Sequence, residues 1–443
     1  MNRLSSLVII LLMTLGLAQG QENPLELSKA ASKGDKAALG ELTAMGQAGN
    51  VTAQYNLGLM YLQGDGVTKD SAAAADWFLK AAKQGDAGSQ DFLGLMRQHG
   101  EGAPKDSAAA ADWYRKAAEQ GLAVAQFNLA EMYANGEGVP KDPGAAVRWF
   151  RKAAERGYSD AQYKMGLMYA SGGDVAKDTA AAADWYRKAA EQGVAGAQYN
   201  LALMYAHGEG VSKDPAAAVQ WYLKAAQQGD AKAQYNLGFM YLQGAGVTKD
   251  FAAAADWYRK AAEQGYAVAQ FNLGLMYAHG AGVSKDSAAA VRWYRKAAEQ
   301  GVAVAEFNLG FMYADGEGVP KDPAAAADWY RKAADQGYAA AQFSLGLMYA
   351  SGEGVSKDSA AAVQWFRRAA EKGNVDAQSN LGAMYVRGEG VPRDLVLAYM
   401  WRNLAAAHGD DIARTVRDAL EKVMTPEQIA EAQKLSREWK PEE

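Results

Sequence analysis

The 443-residue chain contains no cysteine. This excludes disulfides, thiolate metal sites, a cysteine nucleophile and a lipid-modified N-terminal cysteine. An exported chain without cysteine does not depend on the redox state of its compartment. Histidine is also scarce, at four residues. His99, His207 and His279 share one repeating slot, which elsewhere holds Gln63, Asn135, Ser171 or Arg387. They lie in separate stretches, so a histidine metal cluster is not expected. A surplus of either charge is missing too: 46 basic against 51 acidic residues leave a formal net charge of −5. The charges alternate instead of forming blocks, so the basic footprint of a nucleic-acid binder is absent.

Long apolar runs are confined to the N-terminus. Met1-Asn2-Arg3 carries one positive charge, Leu7 to Leu17 is apolar except for Thr14 and Gly16, and Ala18-Gln19-Gly20 supplies small residues. This is the order of a secretory signal peptide. The run is shorter than the roughly 18 to 20 apolar residues that span a bilayer. Cleavage and export, to the periplasm or beyond, are expected, with no stable membrane insertion of the mature chain.

Tryptophan, by contrast, is present and strictly placed. Ten of the eleven tryptophans, from Trp77 to Trp401, recur every 36 residues without insertion or deletion. A fixed period of that size signals stacked structural repeats. It overrides the usual reading of such a length as two or three domains.

The stretch Ala269 to Val304 shows how one unit works. Ala269, Leu273, Met276 and Tyr277 fall at i, i+4, i+7 and i+8, one face of a helix. Gly280 and Gly282 provide the positive φ needed to stop that helix and turn the chain. A second helix opens at Asp286, and sister repeats read Asp142-Pro143, Asp214-Pro215 and Asp322-Pro323. An acidic N-cap followed by proline at the first helical position is a helix start. Gly301 then ends the second helix, so each repeat is an antiparallel helix pair. Alanines such as Ala289, Ala290, Ala297 and Ala298 allow close approach, and Trp293 and Tyr294 fill the remaining volume. Pairs at i, i+4 (Asp256 to Lys260, Asp328 to Lys332, Arg295 to Glu299) read as a solvated outer face, each worth about 0.2–0.5 kcal/mol.

This phase places ten repeats at 53–412. Residues 21–52 read as a degenerate N-terminal capping pair, in which Ala48-Gly49 keep the phase and Glu41 takes the tryptophan slot. Residues 413–443 read as C-terminal capping helices, the last opening on the capping box Thr425-Pro426-Glu427-Gln428. Atypical end units suit a complete array, because terminal repeats must cover their apolar ends.

The consensus A-Q-[YF]-N-L-G-x-M-Y-x-x-G-x-G-V-x-K-D-x-A-A-A-x-x-W-[YF]-x-K-A-A-E-Q-G resembles the Sel1-like repeat family, a relative of tetratricopeptide repeats. The stretch Tyr399-Met400-Trp401-Arg402-Asn403-Leu404-Ala405-Ala406 looks like the closing unit of bacterial members. The resemblance implies an all-α, α/α solenoid, a right-handed superhelix of antiparallel helix pairs. It also implies a protein-interaction scaffold, often exported. A cysteine-rich secreted branch has been linked to β-lactam binding, and this chain lacks every one of those cysteines.

Several slots invite a chemical reading. Methionine recurs once per repeat, from Met60 to Met384. Neighbouring repeats lie about 10 Å apart at ordinary helix packing distances, too far for shared copper ligation, so these residues read as core. Gly-x-Gly-Val follows a helix and lacks a downstream lysine–serine pair, unlike a phosphate cradle. No nucleophile–histidine–carboxylate set and no HExxH occurs. Hence no catalytic site, cofactor or metal is expected, and the chain reads as a non-enzyme.

One row remains. Tyr55, Phe127, Tyr163, Tyr199, Tyr235, Phe271, Phe307 and Phe343 occupy one first-helix slot, followed at i+4 by Leu59, Leu95, Leu167, Leu203, Phe239, Leu275, Phe311 and Leu347. By phase with tetratricopeptide repeats the aromatic slot resembles the lining of a concave groove, where aromatic anchors suit a peptide or protein partner. The alternative is that the rings pack internally. Asn128, Asn200, Asn236, Asn272 and Asn308 in the next slot would then bond an extended backbone. Repeats two to four depart from the pattern at Asp91, Phe92, Arg97, Glu131 and Gly172-Gly173-Asp174, and residues 89 to 135 read as the distinctive patch of the groove. The expected function is a non-catalytic scaffold binding a protein or peptide. The alternatives are a cell-wall or β-lactam-directed hydrolase and a spacer without a ligand.

Overall fold

The computed structural model describes residues 23–441, so the segment Met1–Gly20, expected to be a signal peptide, lies outside the described residues. These form 24 α-helices and, among the described residues, no strand. Helices Pro24–Ser32 and Lys36–Gln47 come first, followed by repeats of two 13-residue helices such as Ala267–His279 and Ser287–Glu299. Asp411–Leu420 and Pro426–Glu438 end the array, and both pack on the preceding helix Leu395–Ala407. The chain divides into two compact units between residues 204 and 213. Within each, helices pack chiefly on their neighbours in sequence, the solenoid arrangement.

The local signals act as their chemistry requires. Asp286 accepts a hydrogen bond from Ala289 N at 2.8 Å, and Thr425 and Gln428 close the capping box. Gly280, Gly282 and Gly301 all adopt positive φ, at 71°, 71° and 81°. Gly282 has a second constraint. A Cβ there would overlap the carbonyl oxygen of Phe251, the first residue of the preceding second helix. The same backbone approach recurs at Gly138 on Ser107, Gly210 on Thr179 and Gly354 on Pro323. Except in repeat four, each turn thus stacks on the unit before it through bare backbone.

The core beneath is built mostly from alanine. At one junction Ala254, Ala255, Tyr258, Ala261 and Ala262 of one repeat and Ala269, Leu273 and Met276 of the next are all buried, and Trp293 of that next repeat packs against them. Nine of the ten periodic tryptophans are only partly buried, and Trp401 of the last repeat is buried. In eight of the ten a lysine three residues on covers the outer face, with Lys260 Nζ 3.8 Å above Trp257 and Lys332 Nζ 3.7 Å above Trp329, and Arg368 covers Trp365. This cation–π contact corrects the expected i, i+4 ion pairs. Asp256 and Asp328 instead bind Arg259 and Arg331 at 2.6 and 3.0 Å. Arg295 donates to the Tyr313 hydroxyl rather than to Glu299.

At several junctions a buried glutamine forms a clasp between repeats. Gln270 Nε2 donates to the Ala262 carbonyl of the preceding repeat at 3.0 Å, and its Oε1 accepts from Gln300 at 2.7 Å. Gln90 and Gln234 repeat the arrangement with Gln120 and Gln264. Where the second partner is Arg156, Lys372 or His408, the Oε1 atoms of Gln126, Gln342 and Gln378 are left buried without a partner. Glu306 occupies the clasp position in one repeat. It accepts from Gln336 at 2.7 Å, but an ionised carboxylate has no proton for the Ala298 carbonyl.

Burial raises the Glu306 pKa, against the opposing hydrogen bond from Gln336 and the charge of Lys332. A raised carboxylate pKa favours the folded state at low pH, and that contribution is lost as pH rises through the folded value. Glu306→Gln restores the missing donor, worth about 1 kcal/mol for one net hydrogen bond. The variant is expected to raise the urea midpoint more at pH 8 than at pH 5. An equal gain at both values would contradict this account.

Candidate functional site

Each unit carries its own first-helix row: Tyr55, Phe127, Tyr163 and Tyr199 in the first, Tyr235, Phe271, Phe307 and Phe343 in the second. All eight are partly buried. Seven of the rings, those of Tyr55, Phe127, Tyr163, Tyr235, Phe271, Phe307 and Phe343, are placed against an aromatic of their own repeat's second helix. Phe127 lies 5.5 Å from Phe150, Tyr235 5.5 Å from Tyr258, Phe307 5.5 Å from Tyr330 and Phe343 5.8 Å from Phe366. Phe127 and Phe307 also contact Tyr158 and Tyr338, at 5.2 and 5.3 Å. The slot is therefore neither sealed nor open; each of these seven rings is braced and shows part of its surface.

The most exposed apolar groups of the row stand one turn further on. Leu167 is 37% exposed, Phe239 46%, Phe311 49% and Leu347 41%. The asparagine between the two slots is partly engaged inside the protein. Asn272 Nδ2 approaches the Tyr235 hydroxyl of the preceding repeat at 3.4 Å. Burial pushes the Tyr294 and Tyr330 hydroxyls up to about 12, so these phenols stay neutral donors at any physiological pH.

The three predicted charged residues do not form one cluster. Asp91 is 7% exposed and accepts from Asn128 Nδ2 at 3.2 Å. Beside it the aromatic has moved one position along: Phe92 stacks on Phe78 with centroids 4.9 Å apart and also meets Tyr55 of the preceding repeat. Glu131 binds Lys164 of the next repeat at 3.0 Å. Arg97 is partly buried at a position where sister repeats carry a tyrosine that accepts from an arginine, as Tyr169 does from Arg151. In repeat two both ends of that bond are exchanged, since Leu79 takes the arginine position. No ion pair joins Asp91, Arg97 and Glu131 among the described residues.

Sequence reasoning missed the clasp glutamines, although their signal, A-Q followed by E-Q-G, is in the consensus. It also did not anticipate the open turn of repeat four. Asp174, Val175, Ala176, Lys177, Asp178 and Thr179, with Val147, Arg151 and Tyr169, line a cavity of about 730 Å3 there. Among the described residues, no group of three or more histidine, aspartate and glutamate side chains is placed to hold a metal ion, and no helix is long and apolar enough to cross a membrane.

The Sel1 repeat family model matches ten consecutive segments from 51–86 to 375–410 without a gap. The chain is a Sel1 repeat protein. The repeat boundaries fall two residues before those set from the tryptophan grid. The protein is similar to the crystal structure of c5321 from uropathogenic Escherichia coli, described as a protective antigen displaying an SLR fold. Sequence identity is 37% over 95% of this chain and 94% of that one, with a TM-score of 0.64. It is also similar to a Sel1 repeat protein from Oxalobacter formigenes, at 33% identity over 78% of this chain and 99% of that one, with a TM-score of 0.54. A search of the curated proteins returned no match. Sel1 repeat proteins are generally protein-interaction scaffolds.

The buried Asp91 yields a pH prediction. Desolvation raises its pKa from 3.8 to about 7, against the opposing bond from Asn128. Between those values the folded state holds more protons than the unfolded one, so stability declines as pH rises. Asp91→Asn keeps an acceptor for Asn128 and removes the titration. Urea midpoints measured from pH 4 to 8 are expected to show the variant gaining on the parent chain across that window. Parallel profiles would refute the assignment.

Proposed function

We propose that this Sel1 repeat protein is a non-catalytic scaffold that binds a segment of a partner protein along its first-helix rows. The observation that carries this reading is the recurrence of exposed Leu167, Phe239, Phe311 and Leu347 at one slot of the repeat. Single exposed apolar residues are ordinary, but a row of large ones in register is the kind of surface a partner covers. The braced aromatics behind them supply a stiff floor. Anchors held in place before binding lose little freedom when the partner arrives, which favours affinity. We infer further that the chain acts outside the cytoplasm, on the strength of the signal-like order of Met1 to Gly20.

The triple variant Phe239→Ser, Phe311→Ser, Leu347→Ser tests the binding surface. Substitutions at exposed positions away from core features usually shift stability by less than about 0.5 kcal/mol each, so circular dichroism and the melting midpoint are expected to change little. Capture of the partner from a native extract, quantified by mass spectrometry against the parent chain, is expected to fall at least tenfold. Undiminished capture would remove the rows from the interface. Export is checked by the intact mass of the chain recovered outside the cytoplasm, which is expected to begin at Gln21.

A further inference from the structure

Repeat four breaks the stacking rule set by the turn glycines. At the position equivalent to Gly138, Gly210 and Gly282 it carries Asp174. A Cβ at those glycines overlaps the carbonyl that opens the preceding second helix, which here is the carbonyl of Pro143. The aspartate cannot take that place, and the turn is rebuilt. Gly172 keeps φ 77° but swings to ψ −161°, where its sister Gly136 has ψ 31°. The paired bonds from Gly136 N and Glu137 N to Met132 O are reduced to one, from Gly172 N to Met168 O at 3.0 Å. Met168 becomes partly exposed, whereas Met132, Met240 and Met276 in the same slot are buried. The lifted turn borders an open surface cleft of about 730 Å3.

The wall carries two cations, Arg151 and Lys177, that form no ion pair among the described residues, and two carboxylates, Asp174 and Asp178. Arg151 donates once, to the Tyr169 hydroxyl at 3.0 Å. Its equivalents Arg115, Arg259 and Arg331 are neutralised by an aspartate three residues earlier, at 2.7, 2.6 and 3.0 Å. At that position the chain places Arg148, so Arg151 has no carboxylate within ion-pair distance among the described residues. Tyr169 accepts from Arg151, which leaves its own proton to donate. Lys177 is exposed and forms no ion pair among the described residues, unlike Lys105, Lys285 and Lys321, which bind Glu137, Glu317 and Glu353. Of the two acids on the wall, Asp178 is already engaged as the N-cap of Thr179–Glu191, accepting from Ala181 N at 2.9 Å. Asp174 remains, exposed. Val147 and Val175 give the cavity an apolar part.

We propose that this cavity receives an acidic side chain from a peptide segment of a partner protein. Arg151, Tyr169 and Lys177 hold the carboxylate, Val147 and Val175 pack on its methylene stem, and Asp174 accepts a backbone N–H of the same segment. Charge-assisted bonds from guanidinium and ammonium to carboxylate are the strong class of hydrogen bond. The assignment rests on the reading of the chain as a peptide-binding scaffold.

The probe is a fluorescein-labelled peptide, Gly-Ala-Glu-Glu-Ala-Gly-amide, read by anisotropy on the full chain at low salt, with glutamines replacing both glutamates as control. The glutamate peptide is expected to bind at least tenfold tighter than the control. Arg151→Gln with Lys177→Gln is expected to abolish that preference. Two changes at Asp174 separate shape from charge. Asp174→Asn keeps the rebuilt turn and is expected to bind as well as the parent or better, since a negative charge is gone. Asp174→Gly restores the sister turn, closes the cavity and is expected to lose at least tenfold, although it removes the same charge. Equal binding by the Gly and Asn variants, or no binding of the glutamate peptide at all, overturns the proposal. So does free glutarate competing as effectively as the peptide, because the occupant is then a small dicarboxylate. If the peptide ignores Asp174→Gly while the Phe239, Phe311 and Leu347 variant loses its partner, the cavity assignment falls and the scaffold reading stands.

Discussion

The stacking of this chain depends on one contact that involves no side chain at all: a turn glycine lying against the carbonyl that opens the preceding second helix. Once Gly280 has capped the first helix, the positive φ at Gly282 turns the chain, and its missing Cβ lets the turn descend onto Phe251. Both requirements fall on one residue, and each repeat meets the last at a set distance along its helices. An insertion in either helix would move the glycine off its carbonyl. The strict 36-residue spacing of the tryptophans is consistent with that requirement. Where Asp174 fails to meet it, the helices stay in register and the turn alone gives way.

An alanine-rich core leaves much of the junction to polar geometry. Alanine contributes little apolar area, so the large groups and the buried hydrogen bonds discriminate one register from another. The clasp glutamines suit this role because a buried amide with both ends paired tolerates little displacement. Tryptophan completes the junction from the outside, with its inner face on the previous repeat and its outer face under a lysine. That arrangement also explains the simple surface electrostatics. Lysines occupied over indole rings are not available to the neighbouring aspartates, which turn to arginine instead.

Helix starts and stops were legible in the sequence because their causes are local. An aspartate side chain caps the amides two or three residues on, and a glycine reaches positive φ wherever the chain turns. The core face was legible for a related reason, since Ala269, Leu273 and Met276 share a helical side whatever they pack against. The candidate site was less so. Asp91 and Tyr55 fall in one slot, for which the pattern left groove lining and internal packing both open; the first is buried against Asn128 and the second is braced by Phe78 and Phe92. Exposure depends on what the adjacent repeat contributes, and the aromatic that covers a slot lies more than twenty residues away. The charge pairs were misassigned on similar grounds: spacing allows Asp256 to reach either Arg259 or Lys260, and the indole ring of Trp257 decides between them.

The sequence by itself determined the family, the helix pairs and the repeat length, because capping, glycine conformation and apolar periodicity act within a few residues of the chain. Only the tertiary structure decided which members of the periodic rows are exposed, which amides close a clasp, and that Asp174 opens a cavity beside Arg151 and Tyr169. Those outcomes come from contacts between repeats, where a carbonyl from the preceding unit or a ring from the second helix occupies space that no local pattern records.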